Sequence, residues 1–387
     1  MNARGSTGSE RKNVMKIDDH ILKHYLKNCY FINGTAYAGK STMCKLLSEK
    51  YSMLHMEENY ETNRFLSVAR PDKQKDFTYF LRMKGFEEYV MRPSEEFERW
   101  MEGVSKEVSE FEISHLISVC KDKKVIVDTN LSPETLRRVS SYNRVAFMLS
   151  EESLSVDRFF DRMDPEKNMI LRTIRNMPNA EEAFQNFRNC IARVNSRAHF
   201  EKYQNSGFFT LLRKESDGDT RAQTLSALSK HFLLDADVQI VRAEKGTEVY
   251  ETLASYAESC PWIAGAHLAK MLRENAFTDW ECAFAAVKND RIVGFATVMK
   301  TDYYPENRYS PWISSIFVDE SQRRRGIAGK LIEKAEEYLV HLGFNRAYIP
   351  SDMSGFYERF GYNKIDTLVS YAGDTDNVYE KVIYYED

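Results

Sequence analysis

The sequence predicts two folds in series: a mostly parallel α/β sheet covered by helices on both faces, then an α+β domain with a mixed, largely antiparallel sheet. Three observations predict this. The 387 residues exceed what one hydrophobic core usually organises. Short apolar strands alternate with helical segments up to residue 234, the pattern of a parallel sheet with ligands at the carboxyl ends of its strands. Beyond that point consecutive strands, with an Asn289-Asp290 turn, mark an antiparallel meander.

The first strand, Cys29-Tyr30-Phe31-Ile32, runs into a glycine-bearing loop and then a helix over 42–51, where Met43, Leu46 and Leu47 have helical spacing. Strands at 53–56 and 125–127 end in acids, Glu57 and Glu58 after the one and Asp128 after the other. Between them, 77–120 has apolar and aromatic residues three and four apart, a helical excursion large enough to hold a substrate. Strands over 144–149 and 208–213 flank a charged helical region, 153–203, broken at Pro165 and Pro178. A turn at 216–219 and an amphipathic helix over 220–234 close this part. The second part reads as a strand over 238–242, helices through Arg273, and strands over 282–287, 292–300 and 312–318. A helix over 329–342, a strand over 346–349, a short helix over 354–360 and strands near Lys364 and Val378 complete it. The expected division is a disordered leader at 1–13, a first domain at 14–236 and a second at 237–387.

Hydrophobic residues make up 43% and charged residues 29%, the balance of a chain that packs cores. A net charge of −4 argues against nucleic acid or an anionic membrane surface as partner and leaves small molecules as the expected ligands. The six cysteines form no Cys-x-x-Cys pair, so neither a zinc site nor a disulfide framework is indicated and a reducing compartment is expected. With no long apolar run and no apolar leader, the expected location is the cytoplasm.

Two stretches carry chemistry. In Gly34-Thr35-Ala36-Tyr37-Ala38-Gly39-Lys40-Ser41-Thr42 the glycines let backbone amides curl inward on phosphate oxygens, and the following helix adds its positive end. Lys40 would neutralise the β- and γ-phosphates and Ser41 would offer a hydroxyl to Mg²⁺. Asp128 is placed to hold that metal, or alternatively to cap the Ser-Pro-Glu turn that follows at Ser132. The second stretch, Gln322-Arg323-Arg324-Arg325-Gly326-Ile327-Ala328-Gly329-Lys330, lies between a strand and a helix, so its amides and the helix dipole suit a pyrophosphate.

The first stretch and the layout after it, Cys29 to Leu234, resemble P-loop small-molecule kinases of the nucleoside, shikimate and chloramphenicol phosphotransferase type. The resemblance implies ATP and Mg²⁺, and a small-molecule hydroxyl whose proton passes to Glu57 or Glu58, either of which also reads as a solvated loop charge. It implies too an arginine-bearing lid, for which Arg158, Arg162, Arg172 and Arg175 are candidates. The second stretch, together with Gly355-Phe356-Tyr357-Glu358-Arg359-Phe360-Gly361-Tyr362, resembles the GNAT superfamily of N-acetyltransferases over Val238 to Val382. That resemblance implies acetyl-CoA as donor and an amine as acceptor. Tyr357 would protonate the departing thiolate, and the amides of Ile316, Phe317 and Val318 would meet the thioester carbonyl and pantetheine arm. Ser351 stands at a coenzyme-contacting position where family members often have Asn. Asp302, Glu306 and Glu281 are candidate bases by position, and Trp262, Tyr303, Tyr304 and Trp312 either wall an acceptor pocket or belong to the core. The expectation is a bifunctional enzyme that transfers phosphate to a hydroxyl and acetyl to an amine. The alternative is an acetyltransferase whose first domain is an ATP-dependent regulatory module or one that acts on RNA or protein.

Overall fold

A computed structural model describes residues 17–151, 156, 159, 165–214, 217–306 and 308–383, and the expected leader lies outside them. Strands β1 (Cys29–Gly34), β2 (Leu54–Met56), β3 (Val125–Asp128), β4 (Val145–Ser150) and β5 (Phe209–Arg213) form a parallel sheet in the order β2-β3-β1-β4-β5. β1, β3 and β4 are almost wholly apolar, as strands covered on both faces must be. Helices α1 (Asp19–Tyr25), α2 (Lys40–Tyr51), α3 (Thr62–Val68), α4 (Phe86–Met91), α5 (Ser94–Val119) and α6 (Pro133–Val139) lie in the first half of this part. They are followed by α7 (Pro165–Asn176), α8 (Ala180–Val194), α9 (Arg197–Gln204) and α10 (Arg221–His231). Leu22 of α1, Leu116 of α5 and Leu136 of α6 pack on one face with Phe31, Val127 and Phe147. Met43 and Leu47 of α2 and Leu228 of α10 pack on the other with Tyr30, Ile32 and Ile126. The chain therefore leaves β1 toward one face and the adjacent β3 toward the opposite face. The crevice at their carboxyl ends is a topological switch point, where an open α/β sheet binds ligands.

The second sheet contains β6 (Gln239–Ala243), β7 (Cys282–Lys288), β8 (Arg291–Met299), β9 (Trp312–Val318), β10 (Arg346–Ser351), β11 (Asn363–Val369) and β12 (Thr375–Val382). Their order is β11-β12-β10-β9-β8-β7-β6, antiparallel throughout except between β9 and β10. Alternation along β7 divides the core: Phe284 and Ala286 face α13 (Ile327–His341), while Ala283 and Ala285 face α11 (Glu248–Glu258) and α12 (Ile263–Glu274). Asn289 and Asp290 both have positive φ, 47° and 58°, the two-residue turn that matches strand twist.

Differences from the sequence reading have local causes. Helices α2 and α13 begin at Lys40 and Ile327, two residues before the expected starts, because Gly39 and Gly326 act as N-caps in the left-handed conformation and apolar periodicity is blind to a cap. The expected interruptions at Pro165 and Pro178 fall at the start of α7 and between α7 and α8, consistent with the tolerance of proline at a helix start. The short helix expected over 354–360 is a single 3₁₀ turn, Tyr357–Phe360, and α1 and α3 were not anticipated. All six cysteines are free. No helix among the described residues is long and apolar enough to cross a membrane.

Candidate active sites

At the switch point, β1 delivers the chain into the 34–39 loop and α2 starts with no side-chain cap, so the first-turn amides of Lys40, Ser41 and Thr42 remain available to an anion. Lys40 is buried, and its Nζ lies 3.5 Å from the Thr35 carbonyl oxygen. Burial opposes its charge, yet Glu58 and Asp128 more than compensate and raise its pKa above the ordinary lysine value. Ser41 Oγ donates to Asp128 Oδ2 at 2.6 Å, whereas Asp128 Oδ1 is buried without a partner. Burial pushes the Asp128 carboxyl up, against the pull of Lys40. Ser132 caps α6 itself by accepting from the Thr135 amide, so Asp128 is not the cap of that turn.

Of the two adjacent glutamates, Glu58 accepts from Asn130 Nδ2 at 3.1 Å and lies within electrostatic reach of Lys40 and Asp128. Glu57 is exposed and its side chain has no hydrogen bond among the described residues. Arg158 and Arg162 lie outside the described residues, and Arg172 and Arg175 are exposed on α7. Two side chains that meet this region were not legible in sequence. Glu112, mid-way along α5, accepts from Thr129 Oγ1 at 2.7 Å, and burial pushes its carboxyl up to about 7. Asn195 Oδ1 accepts from the Ala36 amide at 3.2 Å, so one loop amide already has an intramolecular anion substitute. Neither sits in a motif, since each arrives by tertiary packing of a long helical segment. Among the described residues no group of three His, Cys, Asp or Glu side chains is placed to hold a metal. The Ser41 hydroxyl and the half-satisfied Asp128 carboxylate nonetheless fit Mg²⁺, which takes few protein ligands when phosphates supply the rest.

The second site is a cleft of about 2620 Å³. It opens because β9 and β10, though parallel neighbours, pair only at Trp312 and Tyr348 before diverging. Opposite β8, the register shifts between Phe295 and Thr297, and Ser315 has φ 50°. This bulge turns the β9 backbone at Ser315 and Ile316 toward the cleft, which both residues line together with Phe317 and Val318. Beneath it Gly326 (φ 82°) caps α13, leaving the first-turn amides of Ile327, Ala328 and Gly329 free until Lys330 bonds the Gly326 carbonyl. Arg323 Nε donates to the Val318 carbonyl at 3.1 Å and ties the turn to the strand, while Arg324 and Arg325 are exposed. Gln322 Oε1 and Thr297 Oγ1 line the cleft, buried and without partners, as polar atoms in a ligand site are.

Tyr357 stands at the 3₁₀ turn after β10, buried in the cleft wall, and burial pushes its phenol up to about 12 against the opposing Ser351 hydroxyl. Ser351 Oγ also accepts the Met353 amide at 3.1 Å. Of the three carboxylates taken by position, Asp302 lines the cleft, accepts from Ser314 Oγ and from the Tyr303 amide, and is raised by burial. Glu281 lines it too and accepts from the amides of Thr278 and Lys300, but its hydrogen bonds are exposed, whereas Asp302 is buried. Glu306 is exposed and paired with Arg308 at 2.7 Å. Trp312 is fully buried with Tyr304, Leu368 and Val378, the core alternative of the two left open for it; Trp262, Tyr303 and Tyr371 are exposed aromatics of the cleft.

Comparison with known proteins bears on this second site. Residues 247–362 match the model of the acetyltransferase (GNAT) family. An uncharacterized N-acetyltransferase of Chlorobaculum tepidum is 41% identical over 54 residues, 14% of this chain and 35% of that protein. The chain thus spans about a third of the length of the curated relative it matches. Among solved structures, an aminoglycoside 6'-N-acetyltransferase from Enterococcus faecium (18% identity, TM-score 0.32) is covered to 99% by 38% of this chain. A spermidine N-acetyltransferase chimera from Vibrio cholerae (13% identity, TM-score 0.30) is covered to 96% by 38% of this chain. Residues 247–362 form a GNAT acetyltransferase domain.

Proposed function

We propose that the chain is a bifunctional transferase, moving acetyl from acetyl-CoA to an amine at the second site and phosphate from ATP to a small-molecule hydroxyl at the first. The observation that carries the acetyl transfer is the convergence of a bulged β9, the Gly326 turn and Tyr357 on one cleft. Free amides of Ile327, Ala328 and Gly329 suit the donor's pyrophosphate, and the gap between β9 and β10 suits its pantetheine arm. The acceptor amine must be neutral to attack the thioester carbonyl. Asp302, facing the cleft beside β9, takes its proton, directly or through a water. Negative charge developing on the carbonyl oxygen meets the exposed amides at the bulge. As the carbon–sulfur bond breaks, the Tyr357 phenol, held protonated by burial, gives its proton to the thiolate. Asp302 and Asp376 on the cleft wall favour a cationic acceptor.

At the first site, Lys40 and the amides of the 34–42 loop would hold the triphosphate, and Ser41 and Asp128 would hold Mg²⁺, which supplies charge neutralisation between β- and γ-phosphates when bound. Glu58 is the residue available to accept the hydroxyl proton. A second reading, an ATP-responsive module governing the acetyltransferase, is favoured by one observation. Arg144, immediately before β4, donates to Glu333 of α13, while the Met148 carbonyl within β4 accepts from the Thr35 amide in the 34–39 loop. Calorimetric titration of ATP-Mg²⁺ and acetyl-CoA, with Lys40→Ala and Gly326→Glu as site controls, separates these. The bifunctional reading expects both to bind independently and hydroxyl and amine libraries to yield ADP and free thiol. ATP binding without turnover supports the regulatory reading, and no thiol release with any amine refutes the acetyltransferase.

A further inference from the structure

The cleft holding the Gly326 turn is not closed by the second sheet's own elements. Part of its wall comes from the first sheet's side: Tyr142, Phe209, Lys230 and His231. Leu233, in the segment joining α10 to β6, touches the turn itself, since a Cβ on Gly329 would lie 2.8 Å from Leu233 Cδ2 and one on Gly326 3.3 Å from the same atom.

We propose that the first domain completes the coenzyme A site, with Lys230 binding the 3′-phosphate of the donor's adenosine. The proposal rests on the acetyl-CoA reading of this cleft. With the pyrophosphate on the turn amides and the pantetheine arm running toward Tyr357, the adenosine must leave the turn on its other side, where Leu233 and the end of α10 form the wall. A phosphate monoester there carries about −1.5 to −2 charges near neutrality and requires a cation.

Lys230 meets that requirement. It is exposed, and among the described residues it has no ion-pair partner. The carboxylate nearest in sequence on the same wall, Asp235, is already engaged by the Tyr51 hydroxyl at 2.5 Å and Lys50 Nζ at 3.5 Å, so it does not compete for Lys230. His231 does not substitute. Burial lowers its imidazole pKa to about 4, its Nε2 lies 2.8 Å from the Val145 carbonyl oxygen, and its ring stacks on Phe209 at 4.3 Å. The buried cations of this side are committed: Arg144 to Glu333, and Lys381, over the Tyr142 ring, to Glu336.

The test uses the full chain and two ligands that differ only in the 3′-phosphate, coenzyme A and dephospho-coenzyme A, titrated calorimetrically into wild type, Lys230→Ala and Lys230→Arg. The expected result is about ten-fold weaker coenzyme A binding by Lys230→Ala, from loss of one charge-assisted contact, with most affinity kept by Lys230→Arg. Dephospho-coenzyme A should bind all three alike. Equal weakening of both ligands by Lys230→Ala, or no weakening of either, overturns the proposal, as does a wild type that binds both ligands equally well. A wild type that binds neither ligand refutes the acetyl-CoA reading itself, and a Gly326→Glu variant that still binds both does the same. Lys230 is a surface residue, and unchanged thermal melting of its variants separates a lost contact from a lost fold.

Discussion

Alanine at Gly34 and at Gly39, two glycines of one loop, should damage the protein by different amounts for different reasons. Gly34 has φ 138° and pairs with Met148 of β4. A Cβ there would sit 1.8 Å from the Met148 carbonyl oxygen and 2.7 Å from its carbon, both backbone atoms. Such contacts stay outside 3.0 Å in real structures, so the oxygen must retreat by 3.0 − 1.8 = 1.2 Å, in the middle of the sheet. That separation breaks the bond by which the Thr35 amide donates to Met148 at 3.1 Å. An unsatisfied buried pair costs about 1–3 kcal/mol and the strained backbone about as much again, so Gly34→Ala should cost at least about 3 kcal/mol. For a domain of this size that is a fall in melting temperature of at least about 6–12 °C. Gly39, at φ 90°, has nothing closer to its imagined Cβ than Met148 Cε at 3.8 Å. Only the left-handed backbone penalty of about 1–2 kcal/mol applies. Scanning calorimetry should show the transition of the first sheet moved strongly by Gly34→Ala and weakly by Gly39→Ala, with that of the second sheet unmoved. A Gly34→Ala protein melting within about 2 °C of wild type, or a larger loss at Gly39, would refute the reasoning.

Tyr357→Phe should lower kcat for acetyl transfer by about 10²–10⁴-fold with little change in KM, because the lost proton acts only as the thiolate forms. With the phenol pushed up to about 12, the wild-type rate should show no inflection from this acid between pH 6 and 10, which a pH–rate profile checks. Glu333→Ala strands the Arg144 guanidinium in the seam and should cost about 3–5 kcal/mol in urea unfolding, whereas Arg144→Met with Glu333→Leu should recover most of it. His231 is held neutral by burial, with its folded pKa near 4 below its ordinary 6.5. A depressed folded pKa means the stabilisation is complete above pH 6.5 and is lost as pH falls toward 4. The loss, about 3 kcal/mol, should appear as a falling urea midpoint over that window and vanish in His231→Phe.

The local determinants were legible in the chain itself. Strand and helix types, the Asn289-Asp290 turn and the two glycine-bearing turns follow from period, composition and left-handed backbone preference, which are properties of short windows. Lys40, Ser41 and Asp128, singled out by their spacing, do meet in the structure, through the Ser41–Asp128 hydrogen bond and the pull of Asp128 on the Lys40 ammonium. Helix starts were misjudged by two residues because caps lie outside the apolar pattern. Tertiary structure alone decided the rest. It put Glu58 rather than Glu57 within reach of Lys40, buried Asp302 in the cleft wall while leaving Glu306 exposed, and placed Trp312 in the core, since adjacent or similar residues differ only in which distant groups surround them. It brought Glu112 to Thr129, Asn195 to the Ala36 amide and Leu233 to Gly329, across 17, 159 and 96 residues of chain. Such meetings are set by how helices pack on two sheets, and no short window of sequence contains that information.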